Sequence, residues 1–323
     1  MLTRWWSSRG KGGAAADLVV RRLSEAAGSI AAVNVIRTTP PRPFDVAAVF
    51  PQLAPLARTT TRLHPRPGSP SPYDSSVGGP LLWPARQPWL YCDKWHEGPV
   101  SPLLPVAQLY ARDVPLLRPP GRTDLLQVLW CPSEHPPEHK PTTELFWRTA
   151  ADVTHVLASP PKPTEAQYGY TPEPCVLAPE QVTEYPNFLE LGKELQQQLS
   201  DWSAWQAAGV EIDDSYEAAP EEFYSDELSV APGWKVGGWP PWGLTDPIAR
   251  FCINCGAAMS PLLTIASDEC RDYRRGWVPY EDQAIAVIDN DNVSNPPGIQ
   301  VSDANNLQLY SCPKCYTHTD LIQ

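Results

Sequence analysis

Four cysteines near the C-terminus form two pairs, and each pair has the spacing of a metal-binding knuckle. The first pair lies in FCINCG and the second in SCPKC, which gives Cys252, Cys255, Cys312 and Cys315. Four thiolates suit a tetrahedral zinc ion, and four protein ligands leave no position for water or substrate. The spacing therefore predicts one structural Zn²⁺ ion. Two alternatives are redox use, which needs a strand-CxxC-helix setting that the sequence does not show, and idle buried thiols.

A second set of cysteines and histidines occurs earlier, in the stretches CDKWH and CPSEH. Its members are Cys92, His96, Cys131 and His135, with His139 as a spare. A Cys-x3-His pattern that occurs twice can bind a second zinc ion through two cysteines and two histidines. Alternatively, the set is the remnant of a lost site whose cysteines now lie in the core. An incomplete ligand set would leave an exchangeable position, which is the one route to a metal-dependent hydrolase that the sequence offers.

Repeated motifs around the cysteines indicate an internal duplication. SSVGGPLLWP (75–84) resembles WKVGGWPPWG (234–243), and LQVLWCP (126–132) aligns without gaps to LQLYSCP (307–313). The order VGG, cysteine, apolar run and LQ-x-x-x-CP therefore occurs twice. Chance similarity between Gly/Pro-rich segments is the alternative.

Short apolar runs between turn residues predict the strands that position these sites. They are residues 125–130, 144–148, 262–266, 284–289 and 307–310. One helix is predicted from Asn187, as its N-cap, to Trp205, because five apolar residues recur there at helical spacing. These five are Phe188, Leu191, Leu195, Leu199 and Trp202. Residues 211–228 hold eight acids and no base, which predicts a solvated loop or, alternatively, a docking surface for a basic partner.

Together these elements predict an α+β, mainly β fold of two tandem pseudo-repeats joined by a helix and an acidic loop. The zinc knuckle pair belongs to the C-terminal repeat. The predicted divisions are a basic, Pro-rich extension with one helix (residues 14–27) at 1–71, a first repeat at 72–160, a connecting helix and acidic loop at 161–229, and a second repeat at 230–323. Cys175 and Cys270 have no partner in this scheme and are predicted to pack in the core.

The net charge of the chain indicates which classes of macromolecule it could bind. The whole chain has a net charge of −12 and residues 1–80 carry +6, which leaves −18 on residues 81–323. Such an acidic body repels DNA and attracts basic proteins, although acidity can also serve solubility alone. With no apolar run of about 20 residues and no convincing secretory signal at the N-terminus, the sequence predicts no membrane span and a cytoplasmic location.

The sequence shows no catalytic motif, so no catalytic residue is assigned. Protein binding is the favoured function, with Trp239 and Trp242 beside the second VGG turn as surface anchors; core packing is the other interpretation of these two residues. RNA binding is an alternative function. It would use the basic extension around Arg21, Arg22, Arg37 and Arg42.

The VGG element and the runs PLLPVAQLYARDVPLL and PLLTIAS resemble the YwqG-like family, a bacterial domain of unknown function, as does PEPCVLAPEQVTEYPN (172–187). The C-terminal unit is similar to the programmed cell death protein 2 family, in which counterparts of KVGGWPPW, CINC, SPLLTIA and LQLYSCPKC occur in this order. The resemblance covers residues 72–323. It implies non-enzymatic protein binding, because the eukaryotic relatives are chaperones for a basic ribosomal protein and YwqG relatives are suspected immunity proteins against toxins. This chain departs from that pattern by lacking the second cysteine of each pair in its first copy.

Overall fold

The computed structural model describes residues 36–96, 98–210, 216, 218–270, 276–286 and 293–323, which all belong to one unit, Ile36–Gln323. The predicted helix over residues 14–27 lies outside the described residues, as do Arg21, Arg22 and residues 211–215 and 217 of the predicted acidic loop.

The described residues form two antiparallel sheets of six strands each, so the fold is mainly β, as predicted. The strands are β1 (Arg58–Arg62), β2 (Arg66–Pro67), β3 (Ser76–Val77), β4 (Leu104–Tyr110), β5 (Leu125–Trp130), β6 (Thr143–Arg148), β7 (Cys175–Val176), β8 (Glu180–Glu184), β9 (Lys235–Gly237), β10 (Ser260–Ala266), β11 (Asn306–Ser311) and β12 (His318–Ile322). The N-terminal sheet has the order β2-β7-β3-β4-β5-β6, and the C-terminal sheet has the order β8-β1-β9-β10-β11-β12.

Both sheets follow one plan. Each contains four strands that are consecutive in the chain, β3 to β6 in one sheet and β9 to β12 in the other. The first of these four pairs with a strand from elsewhere in the chain, β3 with β7 and β9 with β1. The chain crosses between the sheets at residues 63–65 and 177–179, where the Ala178 N–H donates to the Leu63 carbonyl at 2.9 Å. The chain therefore passes from one sheet to the other at two places that lie side by side.

Residues of both sheets form one hydrophobic core. Four of the predicted apolar runs are confirmed as strands, namely 125–130, 144–148, 262–266 and 307–310. All six residues of β5 are buried, which explains why five of them are apolar and the sequence does not alternate. The exception, Gln127, is hydrogen-bonded to the Leu82 carbonyl and to Gln108. The run 284–289 is wrong in its described part, because Gln283–Ala286 is helical.

The predicted extension at 1–71 is wrong for residues 58–67, which belong to the sheets. β1 pairs with both β8 and β9, so it is an interior strand. Its sequence, RTTTR, is polar, but the three β-branched threonines suit a strand and two of them are buried. Residues 58–67 therefore belong to the two sheets, although the hydrophobic pattern assigned them to an extension.

Short helices pack together in a second core. They are α1 (Val46–Val49), α2 (Lys193–Leu199), α3 (Trp202–Ala207) and α4 (Pro220–Phe223), which continues as a π-helical turn over Tyr224–Leu228. The single helix predicted from Asn187 to Trp205 is broken. Asn187 caps a 3₁₀ turn at Phe188–Glu190, and the Asp201 carboxylate accepts from Ser203 N–H to start α3. The five predicted apolar residues nevertheless all pack in this core.

The acidic loop predicted at 211–228 is also wrong in part. From Pro220 to Leu228 the chain is helical, and three apolar or aromatic side chains, Phe223, Tyr224 and Leu228, are buried in the helical core. This segment is therefore an amphipathic helix, although its many acidic residues suggested a solvated loop.

The second VGG turn depends on its last glycine. Gly238 has φ +70°, and a Cβ there would collide with the Glu184 carboxylate. We expect Gly238→Ala to lower the free energy of unfolding by about 2 kcal/mol or more, because an L-residue is strained at this φ and the carboxylate must move. Gly243→Ala is the control, since a Cβ there meets no atom within 4 Å. Its effect should stay within about 0.5 kcal/mol in urea unfolding. Equal effects of the two substitutions would contradict the role assigned to the turn.

Candidate metal centre

The register of β10 and β11 brings the four C-terminal cysteines together. Ser260 at the start of β10 pairs with Ser311 at the end of β11, so the loop before β10 lies beside the β11–β12 hairpin. The loop and the hairpin carry two cysteines each. We name these four residues the C-terminal cysteine cluster: Cys252, Cys255, Cys312 and Cys315.

Both cysteine pairs adopt the same turn. The N–H of the first cysteine donates to the carbonyl five residues on, and the residue after the second cysteine donates back to the first. These two bonds measure 2.8 and 2.8 Å at Cys252, and 2.9 and 3.0 Å at Cys312. The residue after each second cysteine, Gly256 or Tyr316, has a positive φ of 67° or 60°. The two pairs are therefore equivalent knuckles.

The four sulfur atoms lie within 4.8 Å of one another. The Sγ–Sγ distance is 3.3 Å from Cys252 to Cys315, 3.4 Å from Cys255 to Cys312 and 3.9 Å from Cys255 to Cys315. Tetrahedral Zn–S bonds of about 2.3 Å place sulfurs roughly 3.8 Å apart, whereas a disulfide needs about 2.05 Å. The predicted group of four cysteines is thus confirmed as a cluster at metal-binding distance, and its cysteines are free.

Hydrogen bonds shift the pKa values of three thiols of this cluster in different directions. The Thr317 hydroxyl and backbone N–H lower the pKa of Cys315 to about 6, and the Cys315 N–H lowers the pKa of Cys312. Although the Ala257 N–H acts to lower the pKa of Cys255, hydrogen bonds with the neighbouring thiols, Cys312 first, raise it to about 11. Cys315 and Cys312 therefore ionise more readily than Cys255, and a bound cation would favour the thiolate form of its ligands.

The cluster lies between the core and the surface. Cys252 and Cys312 are 3% and 0% exposed and pack with Met259 and Tyr310, whereas Cys255 and Cys315 are exposed. An ion there would have two buried and two exposed ligands, and it would join the loop before β10 to the β11–β12 hairpin.

The first half of the chain brings three of its four predicted ligands together. One ligand atom each from Cys92, His96 and Cys131 lies within 4.8 Å of the others. His135 Nε2 is 3.6 Å from Cys92 Sγ. We name these four residues the N-terminal Cys/His cluster: Cys92, His96, Cys131 and His135. Neither His135 nor His139 is part of that group of three among the described residues; His135 lies close to Cys92.

Burial sets the protonation of the N-terminal Cys/His cluster. It raises the pKa of Cys131 to about 12 and lowers the pKa of His135. His135 Nδ1 lies 3.1 Å from the Trp95 carbonyl, a position that suits an N–H donor. The neutral imidazole then directs the lone pair of Nε2 at Cys92 Sγ. Cys175 and Cys270 lie elsewhere and are buried, as predicted for packing residues.

The two tryptophans predicted as surface anchors face inward. Trp242 is 7% exposed, and its position in the protein interior makes that prediction wrong. Trp239 is half-buried; its indole N–H donates to the Leu56 carbonyl at 3.0 Å and Arg58 covers one ring face at 3.3 Å. Both side chains therefore pack within the protein, Trp242 almost fully and Trp239 in part.

Two arginines of the predicted RNA-binding extension are also used within the protein. Arg37 Nε donates to the Asp282 carboxylate at 2.9 Å. Arg42 donates to the Gly276 carbonyl at 2.6 Å and stacks on Trp277 at 3.7 Å from the ring centroid. These contacts engage two of the four arginines of the predicted RNA-binding extension within the protein.

Exposed apolar side chains are concentrated in the loops that carry the two clusters, and the sequence patterns did not predict them. Of the thirteen large apolar residues that are exposed in the described part of the chain, seven lie in the two loops that carry Cys92 and Cys252. They are Tyr91, Trp95 and Val100 in the first loop, and Leu244, Ile248, Phe251 and Ile253 in the second. We name these segments the apolar loops. The available signal was the alternation in Phe251-Cys252-Ile253, where one inward cysteine separates two outward apolar residues.

No family model and no curated protein gives a significant match to this chain. Among the described residues, every helix is too short or too polar to cross a bilayer.

Proposed function

We propose that the C-terminal cysteine cluster binds one structural Zn²⁺ ion. The observation that supports this is the pair of equivalent knuckles, whose four sulfurs are spaced as ligands of one tetrahedral ion. The ion would hold the loop before β10 against the β11–β12 hairpin. With four protein ligands it has a stabilising role and no open coordination position.

We also propose that the two halves are copies of one unit, of the kind that the resemblance to the YwqG-like family implies. The VGG motifs occupy β3 and β9, and the LQ motifs occupy β5 and β11. β4 and β10 each carry an irregularity after a proline, between Pro105 and Ala107 and between Pro261 and Leu263. These correspondences support a duplication in which the first strand of each copy, β3 or β9, pairs with a strand outside the copies, β7 or β1.

The proposed function is non-enzymatic binding of a basic protein through the apolar loops. Ile253 is 90% exposed, and clustered apolar side chains of this kind mark interaction sites on soluble proteins. The −18 charge on residues 81–323 would steer a basic partner toward this surface. A metal-bound knuckle would keep the second apolar loop ordered before binding, which lowers the entropic cost of association. A reducing compartment such as the cytoplasm suits the eight free cysteines.

Photo-crosslinking tests this function. A photoreactive residue at position 253, introduced in the cells from which the protein comes, is expected to trap one protein with a pI above about 9. The purified pair is then titrated. A Phe251→Ser, Ile253→Ser variant should bind at least about tenfold more weakly, because its apolar anchors are lost.

The matched control places the same changes on another exposed apolar pair. Tyr280→Ser, Ile285→Ser should change the dissociation constant by less than about twofold, since both residues lie outside the apolar loops. Equal losses in the two variants would overturn the proposed surface. Trapping of an acidic protein or of RNA at position 253 would overturn the proposed partner.

A further inference from the structure

The two halves build the same loop frame around their cysteines. In the second half, the Cys252 N–H donates to the carbonyl of residue 257, and the Cys312 N–H donates to that of residue 317. In the first half, the Cys92 N–H donates to the carbonyl of residue 101 at 2.8 Å, and the Cys131 N–H donates to that of residue 142 at 3.0 Å. The first cysteine of each loop therefore occupies the same place at the base of the loop.

The loops of the first half are longer, by four residues at Cys92 and by six at Cys131. A longer loop moves its second ligand away from the CxxC position. Histidine reaches further than cysteine, and a histidine stands four residues after each first cysteine, at His96 and His135. The substitution of His for Cys thus accompanies the change in loop length, as expected for a ligand set that is retained in altered form.

Three of the four ligand atoms lie together, and the fourth, on His135, lies close to one of them and is oriented by a hydrogen bond. Cys92, His96 and Cys131 are already within 4.8 Å of one another, and His135 Nε2 is 3.6 Å from Cys92 Sγ. The Trp95 carbonyl holds the opposite nitrogen of His135. A backbone carbonyl on the second ring nitrogen is the usual support of a metal-bound imidazole.

Solvent reaches this cluster. A cavity of about 590 Å³ lies on the side of His96 and is lined by Trp95, Glu165 and His139, among others. A second cavity of about 480 Å³ borders Cys92 and Lys140. These cavities provide the entry path that a metal site requires.

We propose that the N-terminal Cys/His cluster is a second zinc site, with two cysteine and two histidine ligands, and that its ion exchanges more readily than the one in the C-terminal cluster. Two imidazoles replace two thiolates, and longer loops hold the ligands, so the ion is bound less tightly. This site goes beyond the proposed binding function and does not depend on it.

Metal analysis under reducing conditions tests the second site. We expect the full chain, purified without a metal-binding tag and dialysed against micromolar zinc, to hold two zinc ions. His96→Gln should weaken the second ion at least about tenfold in a competition with a chromogenic chelator, which equals about 1.4 kcal/mol. Because His96 is partly exposed, this variant should keep its fold. Cys131→Ala, His135→Ala should hold one ion.

Controls make each outcome decisive. Cys270→Ala removes a buried thiol outside both clusters and should leave two ions bound. Cobalt substitution should give two spectral components, of which His96→Gln changes the one with nitrogen ligands. A single zinc in the wild type, or two zinc ions retained in the Cys131→Ala, His135→Ala variant, would overturn the inference.

Discussion

Cys255→Ser is expected to release the C-terminal zinc ion and to lower the free energy of unfolding by about 4 kcal/mol, a large value of the kind that loss of a metal causes. The side chain of Cys255 is exposed, so serine there removes a ligand without creating a cavity in the core. The loss should therefore come from the metal alone. Urea unfolding with parallel zinc analysis measures both quantities.

Two comparisons isolate the contribution of zinc. In the presence of a strong chelator, Cys255→Ser and the wild type should unfold at the same urea concentration, because neither holds the ion. Cys175→Ser, in a buried strand outside the cluster, should lose some stability but keep its zinc. If Cys255→Ser kept the zinc and the stability of the wild type, the knuckles would have no metal role.

Lys235→Met is expected to cost about 3–5 kcal/mol of unfolding free energy, because it leaves a carboxylate buried without its counter-charge. Lys235 Nζ donates to Glu184 at 2.7 and 2.9 Å, and both side chains are fully buried. Glu184 also accepts from the backbone N–H groups of Ala231 and Trp239. These two N–H donors stabilise the carboxylate in part. Because Glu184 is shielded from water, its negative charge also requires the ammonium group of Lys235 as a counter-charge.

A second ion pair provides the matched control. Lys140 Nζ lies 2.6 Å from Asp320, but both side chains are partly exposed to solvent. Lys140→Met should cost less than about 1 kcal/mol. Adding Glu184→Gln to Lys235→Met should restore part of the lost stability, because the amide oxygen can still accept from Ala231 N–H and carries no charge. If Lys235→Met and Lys140→Met lowered the free energy of unfolding equally, the buried Lys235–Glu184 pair would not have the stabilising role assigned to it.

Sequence patterns predicted the elements whose structure depends mainly on neighbouring residues, namely the apolar strands and the cysteine knuckles. The run LLQVLW is a strand with both faces buried, and a run that is apolar at five of six positions without alternation indicates such a strand. The CxxC pairs were also predictable, since the spacing itself builds each knuckle. The joining of the two pairs required only that the flanking runs be neighbouring strands, and the antiparallel pairing of β10 with β11 meets that requirement.

The features that could not be predicted from the sequence depend on contacts between residues far apart in the chain. RTTTR is an interior strand because β8 and β9 supply its partners from more than a hundred residues away. Glu184 and Lys235 are 51 residues apart, and nothing near either one marks it as buried. Trp242 was misjudged because an indole beside a turn has the same sequence signal whether it faces the core or solvent.

The most direct test of the account is the coordination shell of the C-terminal ion. Zinc X-ray absorption on the His96→Gln, Cys131→Ala variant examines that site with the N-terminal cluster disabled. The account predicts four sulfur ligands at about 2.3 Å and no nitrogen or oxygen ligand. A shell that contains nitrogen or oxygen, or protein without bound zinc, would contradict the claim that these four cysteines hold a structural ion.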